Sequence, residues 1–291
     1  MALTFKPGTI DSSTSFFKSV CYGNGRYVAV SDSGYIAYSA DGIHFNLATG
    51  PAFKIWYGVC YGNGKFVAVE HGGTVAYSTD GGVTFTPGTV SGVINQWNSI
   101  CYGNGRFVAV TDGAAAYSTN GIDFTNITIP VLDAAGYSVC YGNNKFVSIG
   151  STYVAYSSDG ISWTNRNLPS GVIDIFSICY GNGKFVAIPL EGPPIYSTDG
   201  GVNFTQGTSS LQNCAVCYGN EFVAVSVEGS YSYSTNGINF IAGTPMSSIV
   251  TNQCICYGNN KYVVPSYTAS PAVIQYAGSP ISFGLSWFYS P

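Results

Sequence analysis

Five acidic residues recur at one place in a repeating pattern. Asp32, Glu70, Asp112, Glu191 and Glu228 each stand 10 to 12 residues after a cysteine that is followed by tyrosine. A pair of carboxylates flanking a sugar would supply the acid and base, or acid and nucleophile, of glycoside hydrolysis. No matched partner group accompanies them, so catalysis ranks below a simpler binding role, in which the carboxylates accept hydrogen bonds from sugar hydroxyls. Solvated loop acids are the plainest reading, because charges rarely leave water without need. A second set precedes the same cysteines: Phe17, Trp56, Tyr57, Trp97, Tyr137 and Phe176, with Asn213, Asn252 and Gln253 in the last two copies. Aromatic faces beside amides and carboxylates suit sugar recognition, the faces for stacking and the polar groups for hydroxyls. The alternative is packing between repeats, and burial decides between the two.

Cysteine is the next candidate for chemistry. Seven of the nine occupy one repeat position, Cys21, Cys60, Cys101, Cys140, Cys179, Cys217 and Cys256, at intervals of 39, 41, 39, 39, 38 and 39. Equivalent positions on neighbouring units point the same way, which makes disulfide pairing awkward. They read as small buried apolar residues. Cys214 and Cys217 form a C-x-x-C, but a zinc site needs a second pair or nearby histidines. The chain has only His44 and His71. No metal or cofactor is expected, and no Ser-His-Asp or Cys-His arrangement is suggested. The glycines fall in turns rather than in a phosphate loop.

Composition narrows the partners. The net charge is −4 and no lysine- or arginine-rich run exists, so the electrostatic footprint for nucleic acid is missing. No apolar run reaches the length of a membrane span, which excludes membrane insertion. Charged residues make up 8% of the chain, far below the roughly 25% of an ordinary soluble domain. Ser, Thr, Asn, Gly and Tyr must therefore wet the surface, which suits a rigid extracellular or particle-borne protein and contact with neutral glycans. The stretch from Met1 to Asp11 lacks the continuous apolar core of a secretory leader. Synthesis in the cytoplasm is the resulting expectation.

Positioning all these residues falls to a unit about 39 residues long. Each copy begins with a small residue, a β-branched residue, Cys and Tyr, as in Ser99 to Tyr102. Residues two apart share one face of a strand. The cysteines therefore share a face with Ser19, Gly58, Ser99, Ser138, Ser177, Ala215 and Cys254, a small column that lets backbones crowd together around an axis. A turn such as Gly62-Asn63-Gly64 follows, because Asn-Gly tolerates positive φ in a tight hairpin. Two further strands come next, exemplified by Lys65 to Val69 and the Ala-Tyr-Ser at 76–78. A last turn leads to an aromatic that opens a fourth strand.

That last turn resembles the Asp-box, S-x-D-x-G-x-x-[WF], of bacterial neuraminidase repeats. Ser78 to Phe85 and Ser197 to Phe204 match it, and four copies are one residue shorter: Ser39 to Phe45, Ser118 to Phe124, Ser157 to Trp163 and Ser234 to Phe240. The copy from Tyr276 to Phe283 has lost it. In that family the turn joins the third and fourth strands and is structural. The resemblance thus assigns Asp41, Asp80, Asn120, Asp159, Asp199 and Asn236 to architecture. It implies an all-β fold, a seven-bladed β-propeller of four-stranded antiparallel blades that spans residues 1–291 as one domain. Phe5 lies 16 residues before Cys21, the offset that Phe85, Phe124, Trp163 and Phe240 keep from the next repeat cysteine. The N-terminal strand is therefore expected to pair with the C-terminal blade and close the ring, which removes exposed edges. Phe283 competes for the same slot.

The same resemblance raises sialidase activity, which needs three arginines gripping a carboxylate. Only Arg26, Arg106 and Arg166 are available, and the first two share a repeat position held elsewhere by Lys65, Lys145, Lys184 and Lys261. That position follows the first hairpin turn, opposite the usual ligand face of a propeller, so no triad is expected to converge. Cys-Tyr-Gly-Asn-Gly followed by Ala-Tyr-Ser-Thr-Asp-Gly also resembles propeller repeats of phage tail and other virion-associated proteins. The expectation is a protein that is not an enzyme: an adhesin or receptor-binding propeller on a tail or capsid surface. Its partner is a glycan or cell-surface receptor, met by the variable-loop face. The alternatives are a structural virion component that binds protein neighbours and, behind it, a glycoside-active enzyme.

Overall fold

The computed structural model describes residues 3–10, 15–51, 54–92, 96–129, 137–189, 191–209, 214–226, 228–246, 254–265, 267–268 and 274–278. All regular elements among them are β-strands. They form six hydrogen-bonded sheets: four of four strands, one of five and one of nine. The unit around Cys60 shows the common plan. Trp56–Gly62, Lys65–Glu70, Val75–Ser78 and Thr86–Pro87 pair in chain order, each antiparallel to the last.

The repeat sequence accounts for this plan strand by strand. The second strand is buried on both faces, with Phe66, Val67, Ala68 and Val69 at 0 to 1% exposure. A continuous apolar run is what a doubly covered strand requires. The first hairpin turns on Asn63 and Gly64, both at positive φ (46° and 75°), as a type I′ turn demands. The glycine that ends each first strand has a packing reason instead. A Cβ on Gly62 would lie 2.1 Å from Tyr102, and one on Gly103 would lie 2.0 Å from Tyr141. Each unit thus accepts the tyrosine ring of the next, and Gly258 meets Tyr22 of the first unit in the same way. The same tyrosines tilt against the aromatic of their own second strand, at 4.7 to 4.8 Å between centroids. Among the described residues seven apolar clusters fill the spaces between units.

The serine and aspartate of the third turn build it from within. Ser78 Oγ donates to Asp80 Oδ1 (2.7 Å) and accepts from the Gly82 amide (2.9 Å). Asp80 Oδ1 accepts from the amides of Val83 and Thr84, each at 3.0 Å. Asn120 does the same work without charge, accepting from Ser118, Ile122 and Asp123. Asp41, Asp159, Asp199 and Asn236 repeat the pattern.

The nine-stranded sheet joins the two ends of the chain. Lys6–Ile10 pairs antiparallel with Ile274–Gly278, with Lys6 opposite Tyr276, and runs parallel to His44–Leu47 through Thr9 and Ile10. Leu3 and Phe5 are buried beside it. The competing Phe283 lies outside the described residues, as do most of the copy from Tyr276 to Phe283 and Asn213, Asn252 and Gln253. All nine cysteines are free thiols.

Candidate functional site

The first strands converge on one cavity of about 230 Å³. Its wall contains the whole small column: Ser19, Gly58, Ser99, Ser138, Ser177, Ala215 and Cys254. Lys18, Tyr57, Asn98, Tyr137 and Phe176, each one residue earlier, form its lip. The cavity therefore lies towards the start of the first strands, at the end away from the Asn-Gly hairpins.

In three units a β-bulge decides which residue reaches this lip. Pairing with the second strand skips one residue between Phe17 and Ser19, between Trp56 and Gly58, and between Ile175 and Ser177. A bulge places two residues opposite one and re-aims side chains locally. Lys18, Tyr57 and Phe176 consequently turn to the same side as the small column. The residues before them turn into the spaces between units. Of the six aromatics expected to bind, the structure brings three to the lip, Tyr57, Tyr137 and Phe176. Phe17, Trp56 and Trp97 are wholly buried at 0% exposure. These three pack into the apolar clusters between units.

The lip has two differently built arcs. On one side Tyr137 and Phe176 stack, with centroids 5.4 Å apart and planes 25° apart. The Tyr137 hydroxyl accepts from Ser151 Oγ at 3.2 Å, and Phe176 is 40% exposed. On the other side Lys18 Nζ sits 5.3 Å from the Tyr57 ring centre and 3.6 Å from the Asp32 carboxylate. Tyr57 also contacts the His71 ring at 4.8 Å. Burial, then the Asp32 charge, push the Tyr57 phenol above its ordinary pKa.

The acids divide too. Asp32 belongs to the lip through Lys18. Glu70 is buried. Its carboxylate accepts from the Thr74 hydroxyl and amide and sits 3.6 Å from Lys54 Nζ. Desolvation would raise its pKa, but the Thr74 hydrogen bonds and the Lys54 charge outweigh it and lower the value. Glu70 is thus a turn-builder rather than a free carboxylate for a ligand. Asp112, Glu191 and Glu228 are exposed on loops. The arginines lie on separate units: Arg26 over the Tyr38 ring (5.5 Å), Arg106 on the Asp159 carbonyl (2.9 Å) and Arg166 on the Asn165 carbonyl (3.3 Å). Among the described residues no cluster of three ligating side chains is placed to hold a metal.

Sequence reasoning overlooked Lys18 and the serine hydroxyls as cavity-lining groups. Ser19 Oγ accepts from the Val59 amide (3.3 Å), Ser99 Oγ from Val139 (3.2 Å) and Ser177 Oγ from Val216 (3.1 Å). The signal was present in the column itself, where four of seven small residues are serines.

This geometry is that of a β-propeller, and solved structures agree. The chain is similar to virginiamycin B lyase from Staphylococcus aureus, solved as a catalytically inactive variant with quinupristin: TM-score 0.81 at 10% identity, covering 95% of this chain and 99% of that one. It is also similar to YCF48 bound to a D1 peptide, with TM-score 0.74 at 12% identity over 94% and 97% of the two chains. The WD40 propeller domain of Doa1 gives 0.72 at 12% identity over 97% of each. No protein-family model matches the chain, and no curated protein matches it. The expectation that the chain is not an enzyme is corrected here. A lyase shares its architecture over nearly the full length, so the absence of a familiar triad in the sequence was no ground for excluding catalysis.

Proposed function

We propose that the chain is a seven-bladed propeller that binds a glycan at the mouth of its central cavity, as an adhesin carried on a phage tail or other virion surface. The count of seven rests on the glycine–tyrosine contacts, which pass from unit to unit and return from Gly258 to Tyr22. In this reading the nine-stranded sheet is two blades joined by the N-terminal strand.

The observation that carries the glycan reading is the stacked Tyr137–Phe176 pair at the rim of a hydroxyl-lined cavity. A half-exposed aromatic platform beside hydrogen-bonding groups fits the apolar face and hydroxyl edge of a sugar ring. The low share of charged residues, 8%, supports a neutral, rigid contact surface. The test is a glycan array probed with the parent chain, Phe176→Ala and Trp97→Ala. Binding lost with Phe176→Ala, but kept by any Trp97→Ala protein that still folds, is the expected result. An array on which the parent captures no glycan would sink the reading.

A second reading has its own support. Ile55 and Ile173 near the same lip are 46% and 59% exposed, and YCF48, of the same fold, is recorded with a peptide. A protein neighbour on the particle would cover these side chains. Cross-linking from Cys substituted at Ile173 to a particle protein, with no glycan captured, would favour it.

A further inference from the structure

At the depth of the small column the cavity is walled on every side. Each unit contributes one residue of that column, and neighbouring first strands touch there rather than leaving a slot. Ser19 Oγ accepts from the Val59 amide of the next unit at 3.3 Å, Ser99 Oγ from that of Val139 at 3.2 Å and Ser177 Oγ from that of Val216 at 3.1 Å. A Cβ on Gly58 would lie only 3.2 Å from the Ser99 Cα and the Ile100 amide nitrogen. The Cys254 thiol reaches the Phe17 carbonyl at 4.0 Å, which joins the last unit to the first. At the remaining joints Ser138–Gly142 packs directly on Ile175–Gly181, and Ala215–Tyr218 on Cys256–Gly258. The cavity is thus a well and not a groove. Its volume of about 230 Å³ lies below the roughly 300–1,000 Å³ of pockets that take drug-sized ligands. It has room for one sugar ring and not for two in sequence.

We infer that the cavity binds glycans end-on: it takes a terminal ring, or a branch one ring long, and excludes the internal rings of a linear chain. The inference deepens the glycan reading and rests on it. An internal ring carries chain on both sides, so its site must open in two directions, as a groove does. The well opens in one, through the lip. There the Tyr137–Phe176 stack flanks the entering ring, and the rest of the chain runs outward past it. Rings beyond the first stand clear of the wall and add few contacts.

Calorimetry and light scattering on the full chain test this with glucose, galactose, mannose and N-acetylglucosamine, then with the linear dimer, hexamer and long polymer of whichever binds. Affinity should differ by less than about threefold between dimer and hexamer, since only new contacts add to binding. Each polymer should carry a single propeller however long it is. Several propellers on one chain, or affinity that climbs in step with chain length, would overturn end-on binding and leave the glycan reading standing. Substitution in the wall gives an independent measurement. Ser138→Val and Ser138→Leu should weaken monosaccharide binding in order of side-chain size, the leucine by about tenfold or more, with a thermal melt to show that each variant folds. Unchanged affinity in a folded Ser138→Leu protein would put the sugar outside the well and overturn the inference. If none of the sugars binds, the glycan reading falls and end-on binding falls with it.

Discussion

Two kinds of joint hold this ring, and they use the same repeat position differently. Between the regular units the second strand presents Phe66, Phe107, Phe146 or Phe185, rings that pack and offer no polar atom. On either side of the last unit that position is tyrosine. Tyr262 donates to the Glu221 carbonyl at 2.8 Å, and Tyr27 donates to the Gly258 carbonyl. The next layer of contact changes as well. Arg106 donates to the Asp159 carbonyl of the following unit (2.9 Å), and Lys261 to that of Asp41 (3.1 Å). At the equivalent place before the last unit stands Glu221, facing the unit whose serine–aspartate turn has been lost. Glu221 is buried, and burial raises its carboxyl pKa. The glycine–tyrosine contact is common to every joint, and the joint that follows the last unit keeps the cation-to-carbonyl bond through Lys261. The joint that precedes it has Glu221 in place of the cation, and the two joints of the last unit add the tyrosine hydrogen bonds and a borrowed strand. A repeat array can lose a motif only where something else covers the edge it leaves.

The sharpest way to break the comparison is to remove the borrowed strand. Deleting residues 1–10 uncovers the edges of Ile274–Gly278 and His44–Leu47 and removes the buried Leu3 and Phe5. Each such apolar side chain is worth about 1.5–3 kcal/mol of burial, and two open edges invite association. Loss of the cooperative unfolding transition, with higher oligomers in sedimentation, is the expected outcome. A single substitution is more graded. Phe5→Ala should cost about 3–5 kcal/mol in urea unfolding, as Phe85→Ala should at the matching place in a regular unit. A Phe5→Ala cost under about 1 kcal/mol would show that the N-terminal strand is a loose appendage.

The hydroxyls come next in size. Tyr262→Phe should lose about 1 kcal/mol, the usual net worth of one buried hydrogen bond, because it leaves the Glu221 carbonyl without this donor. Tyr27→Phe should behave alike. The reciprocal change, Phe107→Tyr, places a hydroxyl in a joint already complete and should not stabilise. If Phe107→Tyr raises the urea midpoint as much as Tyr262→Phe lowers it, the two kinds of joint are the same after all.

These contrasts also show what the sequence could reveal. The cysteine spacing, the Asn-Gly turns and the serine–aspartate turns are local devices, each readable from a few adjacent residues, and the strand plan follows from them. Pairing of the N-terminal strand was legible for the same reason, because Phe5 keeps the offset of Phe85 to its next cysteine. The lip was only half legible. Strict alternation puts Trp56 on the face of Gly58 and Cys60, and Tyr57 on the other. The bulge inverts this, and nothing in a run such as Trp56-Tyr57-Gly58-Val59-Cys60 marks the skipped residue. Burial separated Phe17, Trp56 and Trp97 from Tyr57, Tyr137 and Phe176, and burial is a property of the assembled ring. Lys18 was overlooked because a cation among aromatics breaks the pattern that drew attention to the others.

The smallest effect tests the regular units against one another. Desolvation would raise the Asp80 pKa, but hydrogen bonds from the Thr84 hydroxyl and amide, from Ser78 and from the Val83 amide outweigh it and hold it at about 2. Asp199 is held at about 2 in the same manner. A carboxyl whose folded pKa lies below its unfolded value of about 3.9 adds stability above that value, which is lost as pH falls towards the folded pKa. The Asp80 turn should therefore weaken between about pH 4 and pH 2, while the turn built on Asn236 has no charge to lose. Asp80→Asn keeps the amide acceptor geometry seen at Asn120. At neutral pH it should shift Tm only slightly, because Asp80 is exposed and water screens its charge. In acid it should flatten the fall of Tm, and Asp80→Asn combined with Asp199→Asn should flatten it further. Parallel Tm curves for parent and double variant down to pH 2 would mean that these turns are held by the shape of the side chain alone, and that asparagine and aspartate units differ in name only.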